Sequence, residues 1–516
     1  MLLSSLLGLY RDRLLNSMYY EHYKVGIDAY TAAFKVPDFM FIILVSGALS
    51  VTFIPIFNQR LATGNKKSAW ELSTSMINFM ASLTLIASVL IMIFAPVLVD
   101  YVVGAGFEES SRMLATSMMR VIALNPFLFS IATVISSMQQ AVGRYTFYAL
   151  APAIYNIGIV IGALFFTNGI SIFGVQIFEG GIMGVALGVV LGSVMQLFVS
   201  IIGLVGLGFD YDFKIYWKNK GFRKALRLLP ARSADQGMDY TVGLVEANLT
   251  SHMEAGTVRA YQQASVLHAM PINLIGVAIS NAAFPQMTEQ LGSGDIRAFR
   301  TELQKVVRVI IWLALPVATI AYFGRGYVVS FIMNGGDPLT ASILGAFTLA
   351  ILFRSIYHIA ARSFYAQQDT KTPLYISIFS IALNIFLAIA LSMWLRWGPI
   401  GLAVAQSIVA MVEVIILFII IQKRMPGGFF DKKIVSGLVR MLSATGFTAI
   451  VCYFMVQLLQ LQRNDMSLSQ TVPKFIIITV VSFAVYTSIC VLFRLPEPKP
   501  ITKKLKQILF SGVGSK

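Results

Sequence analysis

The first two apolar segments of the chain contain an unusual set of charges, in Gly8-Leu9-Tyr10-Arg11-Asp12-Arg13, Gly26-Ile27-Asp28-Ala29-Tyr30 and Phe34-Lys35-Val36-Pro37. A charged side chain at the bilayer centre costs about 2.5–3.5 kcal/mol on insertion scales, so several charges in one helix pair indicate a wet interior between helices. Asp28 and Lys35 are about two helical turns apart and are expected on one helix face. Arg11 and Asp12 border the same interior or, alternatively, mark the end of the first helix. The sequence therefore predicts that these two helices line a cavity.

Composition places the chain among membrane proteins. Of its 516 residues, 57% are hydrophobic and 12% are charged, and the mean hydropathy is +0.75, whereas soluble domains carry about 25% charged residues. We therefore expect an all-α polytopic membrane protein. Two cysteines and four histidines lack the spacing of a disulfide framework or a metal site, and there is no glycine-rich phosphate loop or activated nucleophile. The sequence predicts a protein that is not an enzyme and has no resident cofactor.

The net charge of +16 is distributed in a pattern typical of multi-pass membrane proteins. Basic residues collect in alternate loops, with the largest groups in segments 66–67, 214–227, 423–433 and 499–506. By the positive-inside rule, this places both termini in the cytoplasm and requires an even number of spans, which we count as 14. The same distribution argues against nucleic acid as a partner. No cleavable signal sequence is visible, and because Met1 lies only seven residues before Gly8, we expect that the outer turns of the first helix are missing or that the start was assigned too late.

The chain repeats itself. Pro55-Ile-Phe-Asn-Gln-Arg-Leu-Ala-Thr-Gly-Asn65 matches Pro285-Gln-Met-Thr-Glu-Gln-Leu-Gly-Ser-Gly-Asp295 at an offset of 230 residues, and two further matches follow in the same order. We therefore predict two parallel-related six-helix lobes plus a C-terminal helix pair. The predicted parts are an N-lobe at 1–207 (helices 1–6), a basic cytoplasmic linker at 208–221, a C-lobe at 222–424 (helices 7–12), helices 13–14 at 425–495, and a basic cytoplasmic tail at 496–516.

The predicted seventh helix carries four ionisable residues on one side: Arg232, Asp235, Asp239 and Glu246. At about 100° per residue, they fall within roughly 60° of one another. One interpretation is a self-neutralising structural cluster. The other is a cavity wall that pairs with a substrate phosphate or a coupling cation, in which case Asp235, Asp239 and Glu246 form a candidate site for Na⁺ or H⁺.

The predicted tenth helix carries a basic stripe of Arg354, His358 and Arg362. Arginine suits phosphate because its planar guanidinium donates two parallel hydrogen bonds. Arg362 is alternatively an interfacial residue near the cytoplasmic end of the helix. His268 is expected to be a packing residue, and Gln196 and Glu413 are expected to make hydrogen bonds between helices. The tail after Pro500 reads as a basic amphipathic helix that touches anionic lipid.

Several of these segments resemble the MurJ (MviN) lipid II flippases of the MOP exporter superfamily. The family motifs LGxxRD, DAFxxAFKxPN and GAFxxAFxP are similar to LGLYRD at 7–12, DAYTAAFKVPD at 28–38 and GALSVTFIP at 47–55, and further similarity covers most of the chain, in 106–107, 150–156, 276–285 and 364–373. The resemblance implies two lobes around a cationic cavity that opens alternately to either side of the bacterial cytoplasmic membrane and moves undecaprenyl-pyrophosphate-linked peptidoglycan precursor (lipid II) outward. It implies that Arg11 and Asp28 are cavity residues and that helices 13 and 14 form a groove for the polyprenyl tail.

The resemblance also implies that Na⁺, H⁺ or the membrane potential drives transport, that membrane lipids and peptidoglycan-synthesis proteins are partners, and that the chain acts as a monomer. Three family arginine sites are replaced, at Ser5, at Phe41 with Ile42, and at Val266 after Ser265. Arg232 and Arg354 are candidates to compensate. Two alternatives remain: a cation-coupled exporter that uses the acidic residues of the seventh helix, and a transport-inactive scaffold of an envelope-synthesis complex.

Overall fold

The computed structural model describes residues 2–46, 53–172, 175–462, 465 and 467–499. Within these ranges, the side chains of residues 2, 46, 172, 175, 177, 230–236, 238 and 239 lie outside the description. The predicted tail helix after Pro500 lies outside the described residues, as does most of the GALSVTFIP segment.

The first half of the described chain is built from ten α-helices and one small hairpin. The helices are α1 (Leu2–Leu15), α2 (Lys24–Ala33), α3 (Lys35–Phe41), α4 (Ile54–Ala62), α5 (Lys66–Leu98), α6 (Glu109–Ile122), α7 (Asn125–Ala141), α8 (Tyr145–Phe165), α9 (Met183–Ile202) and α10 (Lys220–Ser251). Turns of π-helix extend α1 through Asn16–Tyr20, α3 through Ile42–Ser46 and α5 through Val99–Val103. A 3₁₀ turn (Phe166–Asn168) leads into β1 (Ile170–Ile172), which pairs antiparallel with β2 (Val175–Phe178). This hairpin is not predicted from the sequence.

The second half is helical throughout its described residues. It contains α11 (Thr257–Pro271), α12 (Ala278–Gly292), α13 (Ile296–Phe323), α14 (Arg325–Ser330), α15 (Pro338–Ala366), α16 (Lys371–Ile389), α17 (Gly398–Arg424), α18 (Lys432–Leu458) and α19 (Leu468–Leu492). Turns of π-helix follow α11 (Ile272–Val277) and α16 (Ala390–Trp394). The predicted all-α membrane class is confirmed.

Eleven helical stretches among the described residues are long and apolar enough to cross a membrane. The predicted first, second and seventh helices are not among them, and these three carry most of the charges on which the cavity prediction rests. The second predicted helix is interrupted at Phe34, and each of its described parts is too short to span a membrane. The first and seventh contain several charged residues, which lower their hydropathy. The count of 14 spans therefore stays a prediction.

The repeated segments adopt the same local structure. Gly64, after α4, has φ of +74°, and Gly294, after α12, has φ of +78°, the left-handed region that glycine enters without a Cβ penalty. In both turns, the residue after the glycine caps the next helix, because Asn65 accepts a hydrogen bond from Ser68 N and Asp295 accepts one from Ala298 N. The sequence match thus corresponds to two equivalent helix–turn–helix corners.

Close backbone packing joins α8 to α9. A Cβ atom placed on Gly158 would lie 2.2 Å from Gly192 Cα, and one on Gly162 would lie 2.4 Å from Gly188 Cα. Small residues at four-residue spacing let two membrane helices approach this closely. This contact fixes α8 against α9, and α8 carries Asn156, which belongs to the site described below.

The chain divides into two compact units between Arg259 and Ala260. The apolar core of the first unit includes Phe57, Leu72 and Phe222, and that of the second includes Phe299, Phe364 and Leu417. The first unit thus includes α10, which the predicted boundaries assign to the C-lobe. Those boundaries describe sequence repeats and stay a prediction.

Candidate functional site

The charges of α1 lie in a largely buried polar cluster of the first unit. Arg11 forms an ion pair with Asp12, with 3.2 Å between Nη2 and Oδ1, and its Nη1 donates to Asn156 Oδ1 of α8 at 2.8 Å. Asp12 is 7% exposed and Asn156 is 6% exposed. Arg11 and Asp12 therefore do not simply mark a helix end, since both take part in contacts within the protein.

Arg259, in the first turn of α11, completes the cluster. Its Nη2 donates to Asp12 Oδ1 at 3.2 Å and its Nε donates to Asn16 Oδ1 at 2.8 Å, and the residue is only 4% exposed. Asp12 thus lies between two guanidinium groups, one from α1 and one from α11. We name Arg11, Asp12, Asn16, Asn156 and Arg259 the arginine cluster.

Arg259 is not among the site residues predicted from the sequence, although its isolated position in the sequence indicated a special role. Arg259 is the sole Lys or Arg in the sequence between Arg232 and Arg297, and an isolated arginine in a membrane segment usually has a partner in the protein. The resemblance placed the expected arginine of this helix at Val266, which this chain lacks. Arg259 lies seven residues earlier in α11, about two turns, and so on the same helix face.

Asp28 holds the backbone at the start of α11. Its Oδ2 accepts a hydrogen bond from Gly256 N at 2.6 Å and its Oδ1 accepts one from Arg259 N at 2.8 Å. Asp28 is 3% exposed, so both oxygens are used inside the protein. Because Arg259 N is one of the two donors, the same carboxylate also positions the arginine that reaches Asp12.

Lys35 is the first residue of α3. It follows the end of α2 at Ala33, and Phe34 lies between the two helices. Electrostatic interactions link Lys35 to Glu246 in α10 and to Asp38 in α3, and Glu246 is 6% exposed. The two predicted residues Asp28 and Lys35 therefore belong to separate helical segments, and each interacts with the α10–α11 part of the first unit. Asp38 is a further ionisable residue beside Lys35 that is not among the predicted site residues.

Glu246 is the member of the seventh-helix group whose side chain the structure describes. Arg232, Asp235 and Asp239 belong to α10, but their side chains lie outside the described residues, so their proposed cluster stays a prediction. Among the side chains that are described, no group of three or more His, Cys, Asp or Glu is arranged to hold a metal ion.

The predicted residues of the second unit lie on α15. Arg354 Nη1 is 3.0 Å from Glu413 Oε2 of α17, and Glu413 is 1% exposed, so this pair joins two helices. His358 lies beside Tyr357, with ring centroids 5.7 Å apart, and the Arg362 guanidinium lies 5.7 Å from the centre of the Phe284 ring. The structure gives Arg354 an acidic partner rather than leaving it in an uninterrupted basic stripe. The assignment of Arg354 and His358 to a substrate site stays a prediction.

The arginine cluster has the chemistry to receive a phosphate group. Arg11 is its most exposed charged member, with 24% of its side chain accessible, and its buried Nε has no hydrogen-bond partner. A guanidinium binds phosphate and carboxylate oxygens in the same two-pronged geometry. A phosphate that approached Arg11 would therefore compete with Asp12 for donors that are already oriented.

Comparison with known proteins identifies similar chains. The family model described as lipid II flippase MurJ matches residues 24–475. A lipid II flippase MurJ of Thermosipho africanus is 26% identical over 464 residues, which cover 88% of this chain and 91% of that protein. A probable lipid II flippase MurJ of Borreliella burgdorferi is 23% identical over 412 residues, which cover 79% of this chain and 78% of that protein. A solved lipid II flippase MurJ in an inward closed conformation has the same fold, with a TM-score of 0.72 and 22% identity over 94% of this chain and 97% of that one.

Proposed function

Since this chain belongs to the lipid II flippase MurJ family, we propose that it moves lipid II from the inner to the outer leaflet of the bacterial cytoplasmic membrane. The family is one of transporters, and we propose no catalytic step. The observation that supports the proposal most directly is the arginine cluster, because it presents two guanidinium groups on one carboxylate inside a largely apolar helical protein. A pyrophosphate that leaves water needs hydrogen-bond donors of this kind to replace its hydration.

The physical problem that a flippase solves is the polar head of its substrate. A pyrophosphate and its sugars cannot cross hydrocarbon unaided, because each charge there costs several kcal/mol. The polyprenyl tail can stay in lipid while the head enters a polar site. We propose that the head binds at Arg11 and Arg259, and that the site opens in turn to the cytoplasm and to the outer side.

Asp12 gives this site a way to respond to its ligand. Without substrate, Asp12 accepts hydrogen bonds from both Arg11 and Arg259. A bound pyrophosphate would take over these donors and release Asp12 from Arg259, so the ion pairs that hold the start of α11 would change. A ligand shifts a conformational equilibrium only through such differences in contacts between states.

The driving force is part of the proposal. Moving one elementary charge through 100 mV changes the free energy by about 2.3 kcal/mol, so the membrane potential can bias a site that carries unbalanced charge. Na⁺ or H⁺ at the acidic residues of α10 is the alternative source. We further propose that both termini are cytoplasmic, that the protein acts as a monomer, and that peptidoglycan-synthesis proteins are its partners.

The test is rescue of a bacterium whose own lipid II flippase is depleted. We expect the wild-type chain to restore growth and cell shape, and Arg259→Gln to fail at the same membrane level. Lys214→Gln, at an exposed lysine 77% accessible and outside the arginine cluster, is the matched control and should rescue. Failure of the wild-type protein at normal membrane levels would contradict the proposal and favour the cation-exporter or scaffold alternatives.

A further inference from the structure

The segment between α9 and α10 is folded back onto α5. We name residues 209–219 of this segment the aromatic strap. Tyr216 N donates to Ser75 Oγ at 2.8 Å, Asn78 Nδ2 donates to the carbonyl oxygens of Asp212 and Lys214 at 2.8 and 3.1 Å, and Tyr211 Oη donates to Asn78 Oδ1 at 2.6 Å. The strap therefore has a defined position along α5.

That position is where α5 changes from polar to apolar. Its first ten residues include Lys66, Lys67 and Glu71, whereas no charged residue occurs from Met76 to its end at Leu98. The strap binds α5 at Ser75 and Asn78, directly at this change. In a membrane-spanning helix, such a change marks the boundary between headgroups and hydrocarbon.

The side chains that the strap exposes suit this boundary. Phe213 is 88% exposed, Trp217 is 55% exposed and Tyr211 is 42% exposed, and Lys214 lies among them with 77% of its side chain accessible. Tyr211 and Trp217 combine an apolar ring with a polar group, and such side chains collect at the membrane interface. Phe213 adds an entirely apolar ring beside them. In water, the same exposed area would carry an unfavourable hydration cost.

A basic cavity lies next to the strap. Its volume is about 730 Å³, and three basic side chains line it, Arg60, Lys218 and Lys220, with one acid, Glu71. Glu71 Oε2 accepts a hydrogen bond from Asn219 Nδ2 at 3.3 Å, and Arg60 Nη1 donates to the Ser68 hydroxyl. The lining thus carries an excess of two positive charges in a space large enough for a small ligand.

The cavity and the strap are placed for two parts of one molecule. The cavity is lined by residues between Asn65 and Glu71 of the α4–α5 corner, about one to two helical turns from Ser75 toward the polar end of α5. In a phospholipid, the glycerol joins the phosphate to the acyl chains, so the phosphate and the first acyl carbons are separated by a similar short distance. We propose that the cavity binds the phosphate of an anionic phospholipid, and that Trp217 and Phe213 contact the glycerol and upper acyl chains of the same lipid.

The second unit provides an internal comparison. Its corner between α12 and α13 repeats the α4–α5 corner, and a cavity there is lined by Arg297, Arg300 and Lys433 together with Asp295 and Asp431. Arg300 Nη2 lies 3.6 Å from Asp431 Oδ2, so part of its positive charge is already balanced. A single positive charge remains in excess, and no tryptophan lines this cavity. We assign the lipid site to the first unit for these reasons.

Quenching of Trp217 fluorescence by brominated lipids tests the proposal in the full-length protein. The protein is placed in nanodiscs that contain equal fractions of brominated phosphatidylglycerol or brominated phosphatidylcholine, and the Trp217 signal is isolated by subtracting the spectrum of Trp217→Phe. We expect at least twofold stronger quenching by the anionic lipid. Arg60→Gln with Lys218→Gln and Lys220→Gln should abolish this preference, and so should Lys218→Gln with Lys220→Gln, which changes only two exposed side chains. Lys433→Gln is the matched control and should keep the preference.

Two results would overturn the proposal. One is equal quenching by the two lipids in the wild-type protein, and the other is a preference for the anionic lipid that survives in the variants lacking the cavity lysines. Inorganic phosphate separates the two sources of the anion. If millimolar phosphate raises the melting temperature of the detergent-solubilised protein through Lys218 and Lys220 while Trp217 shows no lipid preference, the cavity binds free phosphate and the lipid assignment is wrong.

Discussion

Replacing Asp28 with Asn tests how the start of α11 is held. Each oxygen of the Asp28 carboxylate accepts one backbone N–H, from Gly256 at 2.6 Å and from Arg259 at 2.8 Å, and the side chain is 3% exposed. An asparagine has one oxygen, so it keeps one of these hydrogen bonds and turns its NH₂ toward the other donor. A hydrogen bond to a charged group contributes about 1.5–3 kcal/mol, and a buried N–H without an acceptor costs about 1–3 kcal/mol. We therefore expect Asp28→Asn to lower the free energy of unfolding by about 3–5 kcal/mol.

The matched control is Asp295→Asn at the start of α13. Asp295 caps that helix through one oxygen, which accepts a hydrogen bond from Ala298 N at 2.8 Å, and its repeat counterpart Asn65 already caps α5 in the same way. Asp and Asn are nearly equal as helix caps, so this change should cost less than about 0.5 kcal/mol.

The assay is thermal and denaturant unfolding of the purified variants in the same detergent. Asp28→Asn should unfold at a clearly lower temperature and denaturant concentration than both the wild type and Asp295→Asn. Asp28→Ala should be at least as destabilised, since it loses both acceptors. Equal stability of Asp28→Asn and Asp295→Asn would show that the Asp28 carboxylate does not hold the turn before α11.

Two further predictions concern the second unit. Arg354→Leu leaves the Glu413 carboxylate without its guanidinium partner and should destabilise the protein by about 3–5 kcal/mol, whereas Arg354→Leu with Glu413→Leu should recover most of that loss. Unfolding of Arg354→Leu, Glu413→Leu and the double variant measures the interaction energy between the two side chains. Additive effects of the two substitutions would contradict the prediction. In the loop after α15, burial alone would raise the pKa of Asp369, but hydrogen bonds from Thr372 and Arg424 outweigh it and hold the pKa well below its ordinary value. A group whose pKa is lower in the folded state stabilises that state fully at pH values above its ordinary pKa of about 3.9. This stabilisation is lost progressively as the pH falls below that value. The difference in melting temperature between wild type and Arg424→Gln should therefore be larger at about pH 7 than at about pH 3, and a difference that grows toward acid would contradict the assignment.

The sequence predicted the class of fold and the polar helices, because these depend on composition and on charges within single segments. Asp28 and Lys35 were recognisable from the sequence alone as charges within largely apolar segments. Their partners were not, since Asp28 binds backbone atoms more than 220 residues away in the chain. A backbone N–H has no signature in the sequence, and only the packing of α2 against the α10–α11 turn reveals it.

Arg259 and Glu413 show the same limit in different ways. The resemblance directed attention to Val266, so the substitution there was read as a lost arginine, although Arg259 lies two turns away on the same face of α11. Arg354 and Glu413 are 59 residues apart, and their helical periodicities indicate polar positions without saying that α15 and α17 face each other. The break at Phe34 and the hairpin β1–β2 were missed because each involves only a few residues, too few for a periodic pattern.

Flipping of fluorescent lipid II by the purified protein in liposomes is a direct measure of the proposed transport. The fraction of labelled headgroups that an added membrane-impermeant reducing agent can reach is followed over time. We expect wild-type protein to make the inner-leaflet label accessible much faster than protein-free liposomes do. Arg259→Gln and Asp12→Asn should slow this at least about tenfold, equivalent to about 1.4 kcal/mol, and Lys214→Gln should leave it unchanged. Wild-type vesicles no faster than empty ones, or an Arg259→Gln variant that flips lipid II at the wild-type rate, would contradict the proposed function.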